Sequence, residues 1–502
     1  MRPSTSIEQQ RPGSASGGKL QTDRQVFRGT MRSHQARRSH AIKCLRSLRV
    51  PALAPTPLRL GLSVMLAFVA NSATAQKAPI AFGMPATIEL LATAFPGDWS
   101  THFQFTGIYQ GYPAFRAPYS GANSLTPGNR SRETMTGTAY IGRALWEGGA
   151  LYLNPEFAQG FGLSHTFGLA GFPNGEAQKS GSHVPKPYIA RFYLTQTIGL
   201  GGEQEDVADD LNQVAGKRDI SRITIYAGKM AIPDLFDGNS YAHDPRNDFM
   251  NWSVWEGGAY DYAADQRGYT DGIAAELNQK EWAFRLGGFL VPKHSNDRDL
   301  DTRILKHGGY QAEFEKRHEL LGQSGKVRVL GFLNRALSGS YREALTIPGI
   351  DIAATRKDRT KSGFVINLEQ ALTSDLGMFA RLSYNDGHNE IMAFTDIDRS
   401  GQLGFSLKGE RWGRPDDTIG LAGVINAISR DHADFLRAGG LGILVGDGRL
   451  TYGTEKIIET YYRCQITASV SLTANYQYVV NPAYNRDRGP VSILAARAHL
   501  QF

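Results

Sequence analysis

The 502-residue chain has two cysteines, Cys44 and Cys464. It also lacks any apolar run approaching the ~20 residues of a membrane-spanning helix. Period-3.6 patterning is nearly absent, residues 87–95 being the one helical candidate. No H-E-x-x-H pattern and no paired C-x-x-C occurs, so a zinc site has no support. These absences exclude a disulfide-stapled scaffold and a helical membrane protein. They leave a β-barrel untouched, because its signal is spread over short alternating strands. Charged residues are 21% and hydrophobic residues 41% of the chain, which excludes disorder by composition.

Glycine is abundant: 56 residues, about 11% against a usual ~7%, with no collagen period. A formal net charge of +7 suggests a basic protein with an acidic partner. The charge is unevenly placed. Residues 1–75 hold twelve of the 55 Lys+Arg and two of the 48 Asp+Glu, Glu8 and Asp23. An eleven-residue apolar run, 60–70, follows, and then Ala73-Thr74-Ala75. A basic region, a short apolar core and small residues at an A-x-A site read as a secretory signal peptide over 1–75, cut after Ala75. The remaining 427 residues carry 43 basic and 46 acidic side chains, a net charge of −3, and the nucleic-acid reading loses its support. With Cys44 in the leader, stability is expected from a core or from barrel closure rather than from disulfides.

From His102 onward the dominant signal is period-two alternation. Val470, Leu472, Ala474, Tyr476 and Tyr478 alternate with Ser471, Thr473, Asn475 and Gln477. Tyr310, Ala312 and Phe314 alternate with Gln311, Glu313, Glu315 and Arg317. Similar segments begin near Thr101, Arg132, Gly149, Tyr188, Ile223, Ile273, Trp282, Val327, Phe364, Met378, Leu403, Thr418, Ile457 and Leu494. This makes about sixteen strands, the even number expected of a single-chain barrel. Alternation often persists for nine or ten residues, the length of a tilted membrane-crossing strand and longer than a sandwich needs. The reading is an all-β transmembrane antiparallel barrel over 101–502, preceded by a short periplasmic or pore-associated segment, 76–100. Two connections, 160–186 and 231–271, are much longer than the rest and are expected to fold into or over the barrel and constrict it. The final strand ends in Phe502, an expected handle for the outer-membrane assembly machinery.

Several long segments resemble OprB-type carbohydrate-selective porins. They are LNPE (153–156), GFPNGEA (171–177), HDPRNDFMNW (243–252), DYAADQRGYT (261–270), FTDIDRSG (394–401), GRPDDTIGLAG (413–423), AGGLGILVGDG (438–448) and NPAYNRDRGP (481–490). The opening PGDWSTHFQF (96–105) departs from the family's longer Gly/Trp/Leu-rich start. The resemblance implies a sixteen-stranded outer-membrane channel narrowed by loops. Small sugars such as glucose would pass down their gradient, with no cofactor, no metal and no catalytic residue. It leaves the sugar, and assembly into homotrimers, open.

A sugar path needs aromatic faces for pyranose C–H groups and fixed polar groups to replace hydroxyl hydration, with binding weak enough for release. The segment 234–267 is dense in such residues. Trp252 is the expected stacking surface. Arg246, Arg267 and the strand residue Arg191 are the expected donors, because the guanidinium is a planar fork of five donors. Asp244, Asp261 and Glu156 are expected to accept from hydroxyls or to orient the arginines. The resemblance points first to Arg191 and Trp252. The competing reading is a salt-bridge network bracing a long loop. Two other class readings stay open: a general diffusion porin, and a barrel enzyme acting on lipid or polysaccharide. Asp234, Asp237 and Asp244 could serve a glycosidase only at a separation that sequence does not give. Asp396 and Asp398 start like a calcium loop, but its twelfth position is Leu407 instead of Glu. The Gly-rich 439–448 carries no phosphate-loop signature and reads as a tight turn or extracellular loop.

Overall fold

The computed structural model describes residues 98–394 and 396–502. The leader 1–75, nearly all of the segment 76–100 and the helical candidate 87–95 lie outside the described residues. The first strands are β1 (Trp99–Tyr112), β2 (Arg130–Trp146), β3 (Gly149–Gly160), β4 (Ser182–Gly199), β5 (Gln204–Val207) and β6 (Gly216–Asp219). Next come β7 (Arg222–Met230), β8 (Thr270–Asn278), β9 (Trp282–Phe289), β10 (Gly308–Leu320), β11 (Gln323–Ser338) and β12 (Lys357–Ala371). The last are β13 (Leu376–Asn385), β14 (Arg399–Gly409), β15 (Arg414–Ala427), β16 (Glu455–Thr467), β17 (Val470–Val480) and β18 (Val491–Gln501). All but β5 and β6 form one closed antiparallel barrel in which each strand pairs with its sequence neighbour and β1 pairs with β18. The seam runs from Gly111 against Leu494 to Gln104 against Gln501. Phe103 and Phe502 then exchange backbone hydrogen bonds at 2.8 and 3.1 Å, and their rings lie 5.6 Å apart.

Each of the sixteen expected strands is present, and the alternation resolves into an inside-out distribution. Outward positions are apolar and bare: Ile273, Leu286, Val329, Leu382, Leu403, Leu421 and Ile458 are all at least 49% exposed. Their strand neighbours point inward and are polar and buried, among them Gln311, Glu313, Asn367, Arg381, Gln402, Glu459, Asn475, Gln477 and Arg497. A polar lumen inside an apolar wall is the arrangement of a transmembrane barrel. Closure satisfies every strand edge, which a chain crossing hydrocarbon requires.

Short turns close one end of the barrel: 147–148, 279–281, 321–322 and 468–469. Long connections crowd the other. The two expected long loops are 161–181 and 231–269, the first shortened because β4 already starts at Ser182. Other connections at this end are also long: 113–129, 290–307, 339–356, 386–398 and 428–454, the last containing the Gly-rich segment. They carry the short helices α2 (Tyr341–Ala344) and α3 (Arg430–Arg437), capped by Ser340 and Ser429. Eight residues or fewer is too short for helical periodicity to show in sequence. For the same reason the four-residue strands β5 and β6, a hairpin at the short-turn end, escaped the alternation pattern.

The loop 231–269, with α1 (Trp252–Trp255), plugs the lumen and touches the wall nearly all the way round. Met250 N donates to Glu459 of β16 (2.7 Å), Asn251 Nδ2 to Gln477 of β17 (2.9 Å) and Ala259 N to Ser383 of β13 (3.0 Å). Arg497 of β18 donates to the carbonyls of Pro245, Asn247 and Asp248 at 2.6–2.8 Å. Apolar side chains of this loop pack with Phe172, Phe332, Phe394 and Tyr484 into a core inside the barrel.

Placing a charge on the apolar outer wall should be costly. Val329→Arg, near the middle of β11, is expected to lower unfolding stability in lipid vesicles by about 2–4 kcal/mol. Val329→Leu should leave it near wild type. Denaturant titration of the two variants checks this.

Candidate functional site: a polar constriction at strands β3 and β4

The site begins with a proline. Pro155 in β3 has no backbone N–H to give to the ladder. There the β3–β4 register breaks: Asn154 pairs with Arg191, Pro155 with Ile189, and Ala190 is left over. Tyr188 and Arg191 are three residues apart, a spacing that puts side chains on opposite faces of a regular strand. The bulge cancels one step, and both face the lumen. Tyr188 OH donates to Glu156, and Arg191 forms a bidentate pair with Asp234, both bonds at 2.6 Å.

Around this strand the plug loop adds a dense network. Arg246 is buried and donates to Glu156 (3.0 Å), Glu176 (2.9 Å), Gln104 (2.5 Å) and Tyr140 (3.1 Å). Lys179 lies 3.7 Å from Glu156 and 3.3 Å from Glu176. Burial alone would lower the Lys179 ammonium, but the Glu156 and Glu176 carboxylates outweigh it and hold the ammonium above its ordinary value. Tyr269 OH donates to Glu156 at 3.0 Å, and both Lys179 and Arg191 lie 5.5 Å from its ring centre. The Arg267 guanidinium sits 4.1 Å over the Tyr188 ring.

Of the residues expected from sequence, Arg191, Arg246, Arg267 and Glu156 therefore converge on the Tyr188–Tyr269 pair. Asp244 orients Arg246 through the backbone, accepting from Arg246 N at 2.9 Å and from Asn247 Nδ2 at 2.8 Å. Asp261 lies elsewhere: it accepts from Met392 N and Ala393 N at 3.0 Å, with Lys361 at 3.7 Å, and braces the segment 386–398. Trp252 is 2% exposed, stacked on Phe172 (5.4 Å, 17°) and hemmed in by Trp255, Tyr262 and Phe394. As folded, its ring presents no free face, and it anchors the plug. Sequence reasoning passed over Lys179, Asp234 as a partner of Arg191, Tyr188 and Tyr269. The usable signal was the Pro155 of LNPE facing a strand in which Tyr188 and Arg191 have odd spacing.

Solvent reaches a subset. The Arg191, Lys179 and Asp234 side chains are 13%, 18% and 36% exposed, and Tyr188 and Arg267 are half-buried. Together they offer fixed charged donors, one acceptor and an aromatic ring on one patch of lumen wall. Asp237 is enclosed by Arg381 (3.1 Å), Asn367 and Gly257 N. Asp234, Asp237 and Asp244 are thus each taken up by donors. Asp396 and Asp398 likewise hold backbone amides of Leu444, Val445 and Ser429. Among the described residues no group of three or more His, Cys, Asp or Glu could hold a metal ion.

Residues 122–502 match the family described as carbohydrate-selective porin, OprB family. The chain belongs to the OprB family. A structure of Pseudomonas putida OprB at high pH superposes with a TM-score of 0.62 at 16% identity, covering 83% of this chain and 96% of that one. Its low-pH structure has a TM-score of 0.46 at 12% identity, covering 85% and 98%. The outer membrane channel DcaP of Acinetobacter baumannii has a TM-score of 0.46 at 11% identity, covering 81% and 97%. No curated protein matches the sequence. Family and barrel together make this chain a carbohydrate-selective porin.

Two predictions follow from the network. Arg246→Met leaves Glu156 and Glu176 with less compensation in a buried site, and unfolding stability should fall by about 3–5 kcal/mol, read by denaturant titration in detergent. Burial, and secondarily the Asp244 carboxylate, pushes Asp248 up to about 6. The folded state then holds a proton that the unfolded state, at an ordinary ~3.9, has lost. Stability from this group therefore falls as pH rises through that window, and the cost is complete above the folded value. Asp248→Asn should raise the unfolding midpoint at pH ~7.5 and leave it unchanged at pH ~3.5.

Proposed function

We propose that small sugars cross the outer membrane passively along the lumen patch formed by Arg191, Asp234, Lys179, Tyr188 and Arg267. The observation that carries this reading is the bulge in β4, which puts a tyrosine ring and a bidentate-held guanidinium on the same face. A sugar hydroxyl needs donors and acceptors already held in place, and Arg191 is fixed by Asp234 before any solute arrives. The ring of Tyr188 supplies an apolar surface for pyranose C–H groups. Every contact is to a neutral solute in a wet lumen, so residence is short and the sugar leaves. Arg246, Glu156 and Asp244 set the position of this patch rather than meeting the sugar.

The remaining parts of the reading are the leader cut after Ala75, lipid around the apolar wall, and recognition of the strand ending in Phe502 by assembly machinery. Liposomes holding the purified protein should swell faster in glucose than in a salt of similar size. Equal rates would leave a general diffusion porin, and release of reducing ends or fatty acids would point to a barrel enzyme. In planar bilayers, Arg191→Ala should weaken block of ion current by glucose several-fold. Unchanged block would remove Arg191 from the path. Trp252→Ala should instead loosen the plug and raise current noise.

A further inference from the structure

The connection between β4 and β7 stands apart at the short-turn end, the periplasmic side in barrels of this kind. Its neighbours there are two- to four-residue turns, whereas it runs from Leu200 to Ser221 and carries the β5–β6 hairpin. The barrel does not need that length. Gly199 pairs with Arg222, and Leu200 N donates to Ser221 O at 2.9 Å, so the strand ends already meet. Gly201 and Gly202 have φ of +82° and +97°, as a tight turn requires. Residues 203–219 are an insertion on a hairpin that could close without them.

The insertion bends back onto the lumen wall. Asn154 Nδ2 donates to Asn212 Oδ1 at 2.8 Å, Val214 N to Tyr152 OH at 3.4 Å and Ser100 Oγ to Asp210 O at 3.2 Å. His102 Nε2 lies 3.3 Å from Asp209. These four wall positions face inward: Tyr152 and Asn154 share the face of Glu156, and Ser100 and His102 that of Gln104, both of which meet Arg246. Two residues along a strand is roughly 7 Å. The tip of the insertion therefore lies about one such step beneath the polar constriction, and Asn154, which holds it, is the cross-strand partner of Arg191.

Residues 203–219 contain six acids and two bases. Glu205 is neutralised by Arg218 (2.9 Å) and Arg222 (3.0 Å), Asp206 faces Lys217 (3.6 Å), and Glu203 faces Lys280 (2.7 Å). Asp219 serves the turn, accepting from Gly201 N at 2.7 Å. Asp209 and Asp210 have no Lys or Arg partner among the described ion pairs, and they sit at the end that reaches the lumen. Charges at a pore mouth set which small ions enter it, and uncharged solutes ignore them.

We propose that the segment 203–219 is a strap forming a second narrowing at the periplasmic mouth, and that Asp209 and Asp210 make that mouth cation-preferring. A solute leaving the sugar patch meets it next. The inference rests on the channel reading above. The test is single-channel recording in planar bilayers under a KCl gradient. It compares wild type, the D209N/D210N double variant, and a variant lacking 203–219 in which Leu200-Gly201-Gly202 runs into Ile220-Ser221. The shortened variant should show conductance raised at least ~1.5-fold. The double variant, with the strap in place and its folding undisturbed, should show a cation-over-anion permeability ratio lowered about two-fold, with glucose-driven liposome swelling unchanged. Wild-type conductance in the shortened variant, or wild-type reversal potential in the double variant, would overturn the proposal. A wild-type protein without any conductance would overturn the channel reading and, with it, this one.

Discussion

A loop drawn into a closed barrel displaces the water that would otherwise solvate the wall, so wall and loop must satisfy each other. Nearly everything described above follows from that constraint. The wall supplies carboxylates where the loop presents N–H groups, as Glu459 does for Met250 and Asn251. It supplies guanidinium groups where the loop presents carbonyls, as Arg497 does for three of them and Arg381 for Val254, Asp237 and Ala242. An unpaired group in such a place costs about 1–3 kcal/mol or more. The inward face of the strands therefore carries most of the polar residues, beside apolar ones such as Phe332 and Phe379 that pack on the plug, and the outer face is left apolar.

The same constraint separates residues that hold the site from residues that can meet a solute. Arg246 is used up: its donors go to Glu156, Glu176, Gln104 and Tyr140, on three strands and a neighbouring loop. Among the described residues Arg191 has one ion-pair partner, Asp234, and it keeps an open side. Farther round the wall, Arg285 and Arg328 are threaded between Glu276, Glu313, Glu315 and Glu369 in a continuous ladder. That ladder stiffens the barrel, and it leaves its members few free donors.

The barrel was legible because period-two alternation is a local property: each strand declares its two faces within ten residues, as Val470–Tyr478 does. The site was legible in part. Arg191, Arg246, Arg267 and Glu156 stand in motif-rich segments and do come together, but residue type alone does not say which of them is spent on bracing. Trp252 looked like a sugar platform because an indole suits that task. Its burial depends on Phe172 and Phe394, one from an earlier loop and one from a later one, which no local pattern reveals. The bulge at Ala190 was hidden for a different reason. It arises from Pro155 on the neighbouring strand, so its cause and its effect sit more than thirty positions apart in the chain. The strap at 203–219 was hidden because four-residue strands produce no periodic signal.

The seam between β1 and β18 joins Gln104 to Gln501, nearly the whole length of the barrel sequence apart. Contacts that distant are entropically the last to be gained. The plug straddles that seam: Arg246 reaches Gln104 on β1, while Met250 and Pro245 are held by Glu459 on β16 and Arg497 on β18. Without the final strands the loop lacks Glu459, Gln477 and Arg497, which hold residues 245–251. Closure of the cylinder and filling of its interior are therefore coupled: the same residues that line the seam hold the plug.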